Sequence, residues 1–282
     1  MKIERMAVVG GGTMGNGIAH VGALHGRAVT LIDVSQQVLE GALATIARNL
    51  DRQVARERIS AEERDQALAR ITTCASVAEG VAEAQLVVEA VPEKAELKYE
   101  LFRTLDEHAP DGCILASNTS SISITEIAAR TGRPHAVIGM HFMNPVPVMK
   151  LVEVIRGLAT DDATTAAVME LSRELDKTPV EVNDFPGFVS NRVLMPMINE
   201  AVFALMEGVA EAEAIDTVMK LGMNHPMGPL ALADLIGLDT CLAIMEVLHQ
   251  GLGDSKYRPC PLLRKMVKAG RLGRKSGRGF YT

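Results

Sequence analysis

His141 and Glu153 lie twelve positions apart in the chain and have the side chains of a proton-transfer pair. The residues between them join two apolar, strand-like segments through a loop that contains two prolines. If these segments pair as an antiparallel hairpin centred on Pro147, His141 lies directly opposite Glu153. An imidazole accepts a proton near neutral pH, and a carboxylate can orient the ring and stabilise its charged form. The pattern therefore predicts a pair that removes a hydroxyl proton while a hydride leaves the same carbon.

A second polar cluster, Ser117-Asn118-Thr119-Ser120-Ser121, directly follows the strand-like segment 113–116. Ligands of doubly wound sheets bind beyond the carboxyl ends of the strands, where this cluster and His141 would both lie. Helix capping is the competing explanation, because Ser123 and Glu126 form a capping-box pattern. One cap does not require five consecutive hydroxyl or amide side chains, so we favour a binding role for the cluster.

A glycine-rich run, Gly10-Gly11-Gly12-Thr13-Met14-Gly15, follows a short apolar strand and opens a helical pattern. The acidic residue Asp33 comes 18 positions after Gly15, at the end of the next strand-like segment. Glycines at these positions allow a tight turn, the approach of a pyrophosphate to the backbone, and close packing of helix on strand. Asp33 would bind the adenosine ribose and repel a 2′-phosphate. The sequence therefore predicts an NAD site.

Strand-like and helical segments alternate through the first two thirds of the chain, which predicts an α/β fold with a mostly parallel, Rossmann-like sheet. A pair of helices is inserted at about residues 36–70, and a capping box of Ser60 and Glu63 begins the second of them. The pattern becomes entirely helical near residue 187. We therefore predict an NAD-binding domain at 1–186 and an all-helical C-terminal domain at 187–282 that carries the substrate cleft and the dimer contacts.

Several motifs together make the chain similar to the L-3-hydroxyacyl-CoA dehydrogenase family, and above all to its bacterial members that act on 3-hydroxybutyryl-CoA. The resemblance covers essentially the whole sequence. Beyond the glycine-rich run with Asp33, it rests on these motifs: Ser117–Ser121, His141-Phe-Met-Asn-Pro-Val-Pro-Val-Met-Lys-Leu-Val-Glu153, Pro186-Gly-Phe-Val-Ser-Asn-Arg192, His225-Pro-Met-Gly-Pro229 and Gly277–Tyr281.

The resemblance assigns roles that spacing alone does not. It implies that His141 is the catalytic base with Glu153 as partner, that Ser120 hydrogen-bonds the substrate 3-oxygen, and that Asn191 polarises the carbonyl in the reductive direction. The cofactor contacts that it implies are Asp33, Glu93, Lys98, Ser120, Asn144 and Lys275. It also implies that the helical pair receives the CoA nucleotide, for which Arg52, Arg56 and Arg58 are available, although a solvated helix face explains these arginines equally well.

Composition excludes several other classes of protein. The chain has 282 residues, a net charge of −6, no Trp and few other aromatic residues, so nucleic acid is an unfavourable partner. It lacks an apolar run suited to a membrane span or a signal peptide, from which we expect a cytoplasmic protein. The four cysteines show no CxxC spacing, so we expect free thiols and no metal site.

These patterns predict an NAD-dependent enzyme that reversibly oxidises an (S)-3-hydroxyacyl-CoA of short chain to the 3-ketoacyl-CoA, with a homodimer as the form that the family suggests. Two alternatives stay open. One is a related dehydrogenase of a free hydroxy acid, such as a sugar acid or carnitine. The other is a dinucleotide-binding protein without turnover, which would have no need of a general base such as His141.

Overall fold

The computed structural model describes residues 2–281 and divides into two compact units, which meet in sequence between Asp184 and Phe185. The first unit contains the β-sheet, and the second is helical. This confirms the predicted fold class. The boundary lies two residues before the predicted one.

The first unit is built on an eight-stranded sheet with the order β3-β2-β1-β4-β5-β6-β7-β8. Neighbouring strands run parallel except β6 and β7, which are antiparallel. The strands are β1 (Arg5–Val9), β2 (Ala28–Ile32), β3 (Ile71–Cys74), β4 (Leu86–Glu89), β5 (Ile114–Ser117), β6 (Val137–Phe142), β7 (Leu151–Arg156) and β8 (Thr178–Asn183). The central strands β4, β5 and β6 are buried at every position, which explains why they appear in the sequence as short, continuous apolar runs.

Helices connect these strands and cover the sheet. They are α1 (Thr13–Leu24), α2 (Gln36–Val54), α3 (Ala61–Ala69), α4 (Val77–Val81), α5 (Ala95–His108), α6 (Ile124–Ala128) and α7 (Asp162–Glu174). Buried residues of α1 and α2, including Ile18, Leu39 and Ile46, pack in one core with strand residues such as Val8 and Leu31. The capping box predicted at Ser60 and Glu63 is present at the start of α3.

Parallel strands place their carboxyl ends at one edge of the sheet, and this edge carries the polar residues singled out by the sequence. The turn at Gly10 follows β1, Asp33 follows β2, and Ser117 ends β5. His141 lies near the end of β6. The fold therefore brings segments that are far apart in sequence to the same edge.

The second unit has its own apolar core, which includes Met195, Leu230, Met245 and Leu263. Its helices are α8 (Ser190–Met206), α9 (Ala212–Gly222), α10 (Pro229–Ile236), α11 (Leu238–Leu252) and α12 (Pro261–Lys268). Proline at the first helical position starts both α10 and α12, as expected for a residue that lacks a backbone N–H. These helices fall within the region that the sequence predicts to be entirely helical.

Helices α4 and α7 and strand β8 are not predicted from the sequence, and β8 extends the sheet beyond the predicted hairpin. Within residues 2–281, no helix is both long enough and apolar enough to cross a lipid bilayer. All four cysteines are free thiols, and three of them are buried.

Candidate active site

The hairpin of β6 and β7 pairs His141 directly with Glu153, as the sequence predicted. The Nδ1 atom of His141 lies 2.8 Å from Oε2 of Glu153, and the two residues are 9% and 2% exposed. A carboxylate accepts a hydrogen bond from a ring N–H, so this contact favours the tautomer protonated at Nδ1. The proton-accepting atom of the neutral ring is then Nε2. This is the geometry of an oriented general base.

The serine-rich segment 117–121 is hydrogen-bonded through Asn118 to β6, the strand that carries His141 of the His141–Glu153 pair, hereafter the dyad. The Oδ1 atom of Asn118 accepts a hydrogen bond of 2.9 Å from the backbone N–H of Phe142, the residue next to His141. Helix capping does not explain the segment, because Ser123 itself accepts the N–H of Glu126 at the start of α6. The segment and the dyad are therefore parts of one constellation.

Glu93 organises this segment. One of its carboxylate oxygens accepts hydrogen bonds from the hydroxyl of Thr119 at 2.5 Å and from the backbone N–H groups of Ser120 and Ser121 at 2.9 and 3.1 Å. The hydroxyls of Ser120 and Ser121 lie within 3.3 Å of the same oxygen. Burial by itself raises the pKa of Glu93, but the ammonium of Lys98 and these donors outweigh burial and hold the pKa below its usual value.

Lys98 links Glu93 to a second carboxylate, Glu89, at the end of β4. The Lys98 ammonium lies 2.5 Å from Glu89 and 3.3 Å from Glu93, and it is 1% exposed. Glu89 also accepts the hydroxyl of Ser117 at 2.6 Å and the N–H of Val91 at 2.7 Å. Burial raises the pKa of Glu89, while Lys98 and these hydrogen bonds oppose that rise. The network ties strands β4 and β5 together beneath the serine-rich segment.

The turn at Gly10–Gly15 has the steric features that a dinucleotide requires. Gly10 has φ +107°, and a Cβ atom there would lie 2.6 Å from the carbonyl oxygen of Ala90. A Cβ at Gly15 would lie 1.7 Å from the carbonyl oxygen of Gly10, so only glycine lets α1 pack against the turn. A Cβ at Gly12 would meet no atom of residues 2–281 within 4 Å. Gly12 therefore leaves open space at the start of α1, as the approach of a ligand's pyrophosphate to the backbone would require.

Asp33 adjoins this turn. One carboxylate oxygen accepts the N–H of Gly11 at 2.9 Å, and the other accepts the N–H of Ser35 at 3.0 Å. Each oxygen of a carboxylate has two lone pairs, so Asp33 retains acceptor capacity for the hydroxyls of a ribose. Thr13 and Met14 form the first residues of α1 beside the turn. These residues fit NAD.

The remaining predicted residues lie in several places. Asn144 is exposed, two positions beyond the end of β6. Asn191 belongs to the second unit, where it is 8% exposed in the first turn of α8. Lys275 also belongs to the second unit and forms an ion pair of 2.5 Å with Asp239. Arg52, Arg56 and Arg58 are exposed near the end of α2, and none forms an ion pair with another residue in the described range.

Two residues, Glu89 and Asn118, support the site through contacts that the sequence does not predict. Glu89 interrupts a buried apolar strand, and a charge in such a run indicates a buried partner. Asn118 lies inside the quoted polar cluster, but its bond to Phe142 could not be foreseen without the pairing of β5 with β6.

Comparisons with known proteins agree with this architecture. The model of the 3-hydroxyacyl-CoA dehydrogenase NAD binding domain matches residues 5–185, and that of the 3-hydroxyacyl-CoA dehydrogenase C-terminal domain matches residues 187–282. The chain is 60% identical over 281 residues to the probable 3-hydroxybutyryl-CoA dehydrogenase of Bacillus subtilis, with 100% of this chain and 98% of the relative covered. It is 56% identical to the 3-hydroxybutyryl-CoA dehydrogenase of Bradyrhizobium diazoefficiens, over 99% of this chain and 95% of the relative.

A solved structure of similar architecture is the (S)-3-hydroxybutyryl-CoA dehydrogenase of Ralstonia eutropha. It superposes with a TM-score of 0.98 at 52% identity, covering 100% of this chain and 99% of the other. Both units described above therefore have counterparts in that enzyme.

Proposed function

The chain belongs to the 3-hydroxyacyl-CoA dehydrogenase family, and we propose that it reversibly oxidises (S)-3-hydroxybutyryl-CoA to the 3-ketoacyl thioester with NAD. The observation that carries this proposal is the 2.8 Å contact between His141 and Glu153 at the sheet edge that also bears the glycine-rich turn. A site that only bound a dinucleotide would not need a buried, carboxylate-oriented imidazole.

His141 acts as the general base in the oxidative direction. Its Nε2 atom takes the proton of the substrate 3-hydroxyl, and Glu153 stabilises the imidazolium that forms. Bound NAD supplies the acceptor for the hydride of C3. In the reverse direction, the protonated ring returns its proton to the carbonyl oxygen. The hydrogen bond at Nδ1 keeps the ring aligned in both directions.

Ser120 and Asn191 are proposed to hold the reacting oxygen. The contact of Ser120 with Glu93 fixes its loop, so its hydroxyl is placed before substrate arrives. The amide of Asn191 would polarise the carbonyl during reduction. We further propose that Asp33, Glu93, Lys98, Asn144 and Lys275, together with the turn at Gly10–Gly15, hold NAD.

The CoA part of the substrate carries phosphates, and cations should receive them. Arg52, Arg56 and Arg58 are exposed and lack carboxylate partners in the described part of the chain, which supports their assignment to this role.

We also propose a cytoplasmic homodimer. Free cysteines suit a reducing compartment. The second unit exposes several large apolar side chains, including Val193, Val218, Leu221 and Met223, between 60% and 82% exposed. An apolar surface of this kind is typical of a subunit contact. Light scattering on the purified chain would distinguish a dimer from a monomer.

The enzymatic proposal is tested by following NADH absorbance with acetoacetyl-CoA and with free acetoacetate as separate substrates. We expect rapid oxidation of NADH with the thioester and little with the free acid. Preference for the free acid would instead support a hydroxy-acid dehydrogenase. Tight NADH binding without turnover of either compound would support a non-catalytic binding protein.

A further inference from the structure

The loop 143–150 connects the strand of His141 to the strand of Glu153. It turns tightly, because the N–H groups of Val148 and Met149 both donate to the carbonyl of Pro145, at 2.9 and 3.0 Å. At its centre Val146 is only 2% exposed. The conformation of this loop therefore affects the relative positions of β6 and β7, the strands that carry His141 and Glu153.

Lys177, just before β8, reaches into this loop. Its ammonium donates to the carbonyl of Val146 at 2.6 Å and to that of Met149 at 2.9 Å, and the residue is 8% exposed. A buried lysine needs strong acceptors, and here both acceptors come from the loop. Neither contact involves a carboxylate, so the side chain holds backbone atoms and does not neutralise a charge.

The opposite side of the loop touches the helix of the glycine-rich turn. A Cβ atom at Gly17 of α1 would lie 2.9 Å from Cβ of Val146, so only glycine allows this approach. Loop 143–150 is therefore packed between α1, which begins at the dinucleotide turn, and Lys177 at the start of β8.

We propose that Lys177 is a positioning residue for hydride transfer, which acts by fixing loop 143–150 and, through it, the alignment of the His141–Glu153 pair with the dinucleotide turn. This inference rests on the proposed function. Lys177 has no direct role in the chemistry, since its described contacts are with loop carbonyls. The same contacts hold the backbone near Asn144, which the family resemblance places at the cofactor.

Lys177→Met removes the two hydrogen bonds while keeping a side chain of similar length. It leaves the buried carbonyl of Val146 and the partly buried carbonyl of Met149 without this donor and loosens the loop. Small misplacement of reacting groups lowers rates by as much as about 10²-fold. We expect the rate constant of hydride transfer to fall about 10- to 100-fold. Lys177→Arg, which can still donate to both carbonyls, should recover most of it.

The experiment uses the full chain loaded with one equivalent of NADH and mixed rapidly with acetoacetyl-CoA. Absorbance then reports an amplitude, which measures the fraction of folded enzyme, and a rate constant, which measures chemistry. A merely structural loss of folded protein lowers the amplitude but not the rate constant. Lys2→Met is the matched control, because Lys2 is an exposed lysine of the same unit that pairs with Glu4 outside the loop, and its rate constant should stay within about twofold.

A reduced rate constant in Lys177→Met, with recovery in Lys177→Arg, supports the inference. An unchanged rate constant overturns it while leaving the proposed function intact. If the unmodified chain does not oxidise NADH, the proposed function fails and the role of Lys177 in hydride transfer fails with it, and hydrogen exchange of residues 143–150 then tests only whether Lys177 fixes the loop. Faster exchange confined to that loop in Lys177→Met would show that Lys177 fixes the loop, and unchanged exchange would show that it does not. Should Lys177→Met fail to fold, Lys177→Gln, which keeps one donor group, replaces it under the same criteria.

Discussion

The carboxylates of this site differ in what they bind, and their roles follow from that difference. Glu153 contacts the imidazole of His141 and so orients the group that moves a proton. Glu93 instead receives five donors from Thr119, Ser120 and Ser121 and holds a loop in place. Both residues are glutamates, so the residue type does not distinguish their functions. The groups that each carboxylate contacts do distinguish them.

Replacing the base should remove most of the chemistry while leaving the cofactor site unchanged. For His141→Gln we expect turnover with acetoacetyl-CoA to fall about 10²- to 10⁴-fold, the usual contribution of a general base. Glutamine keeps a donor toward Glu153 but cannot take up a proton. NADH affinity, measured by fluorescence titration, should stay close to that of the unmodified chain. Turnover that survived this change would rule out His141 as the base.

Asp33 should determine the choice of cofactor. Its carboxylate borders the dinucleotide turn through Gly11, where a 2′-phosphate would meet a negative charge. Asp33→Ser removes the charge, so we expect weaker NADH binding and a smaller preference for NADH over NADPH, by about tenfold in the ratio of kcat/KM. Steady-state assays with both cofactors measure this ratio. A ratio equal to that of the unmodified chain would contradict the assigned role.

At the scale of elements, the sequence predicted local features well and distant partnerships poorly. The hairpin register of His141 and Glu153 followed from a turn centred on Pro147, and the α3 cap followed from Ser60 and Glu63. Both depend on residues close in sequence. The bond between Ser117 and Glu89 joins positions 28 apart on separate strands, so strand order had to be known first. Likewise, β8 was missed, and with it the function of Lys177.

The ion pair of Glu89 and Lys98 gives a test at this scale, because it joins β4 to α5. Glu89→Gln leaves the buried Lys98 with Glu93, at 3.3 Å, as its one remaining charged partner among residues 2–281. Loss of one partner of a buried pair costs about 3 kcal/mol or more of unfolding free energy. Urea denaturation followed by circular dichroism measures this loss.

The double variant Glu89→Gln with Lys98→Met separates the buried charge from the lost contacts. It should regain part of the stability, because it removes the buried ammonium that has lost one of its two carboxylate partners. A double variant that is less stable than Glu89→Gln alone would show that the charge was not the source of the cost. Lys150→Met serves as a surface reference, since its partner pair is largely exposed.

For the whole molecule, the division into a sheet unit and a helical unit was visible in the sequence because periodicity changes near residue 187. Short apolar runs alternate with segments of helical spacing before that point, and helical spacing alone continues after it. Spacing patterns contain no information on which buried polar side chains share a core. His20 is an example: its place in the sequence does not reveal its surroundings, but its burial makes the stability of the fold depend on pH.

His20 lies in α1 at 1% exposure, with Nε2 3.0 Å from the amide nitrogen of Gln53. Burial, helped by the charges of His25 and Lys177, lowers the pKa of His20 to about 4. In the unfolded chain the ring titrates near 6.5, so the unfolded state binds a proton first as the pH falls. The stability that the neutral form of His20 contributes is therefore fully present above about pH 6.5, and it is lost as the pH falls from there to about 4. Between pH 7 and pH 5 we expect His20 to account for a loss of about 2 kcal/mol.

This prediction is checked by comparing urea unfolding of the unmodified chain and His20→Leu at pH 7, 6 and 5. Leucine cannot titrate, so the variant should lose about 2 kcal/mol less over this range, whatever its stability at pH 7. His108→Gln removes an exposed histidine and should keep the pH dependence of the unmodified chain. Equal losses in the unmodified chain and His20→Leu would mean that the proton responsible binds elsewhere, with the carboxylates of the Lys98 network as the next groups to test.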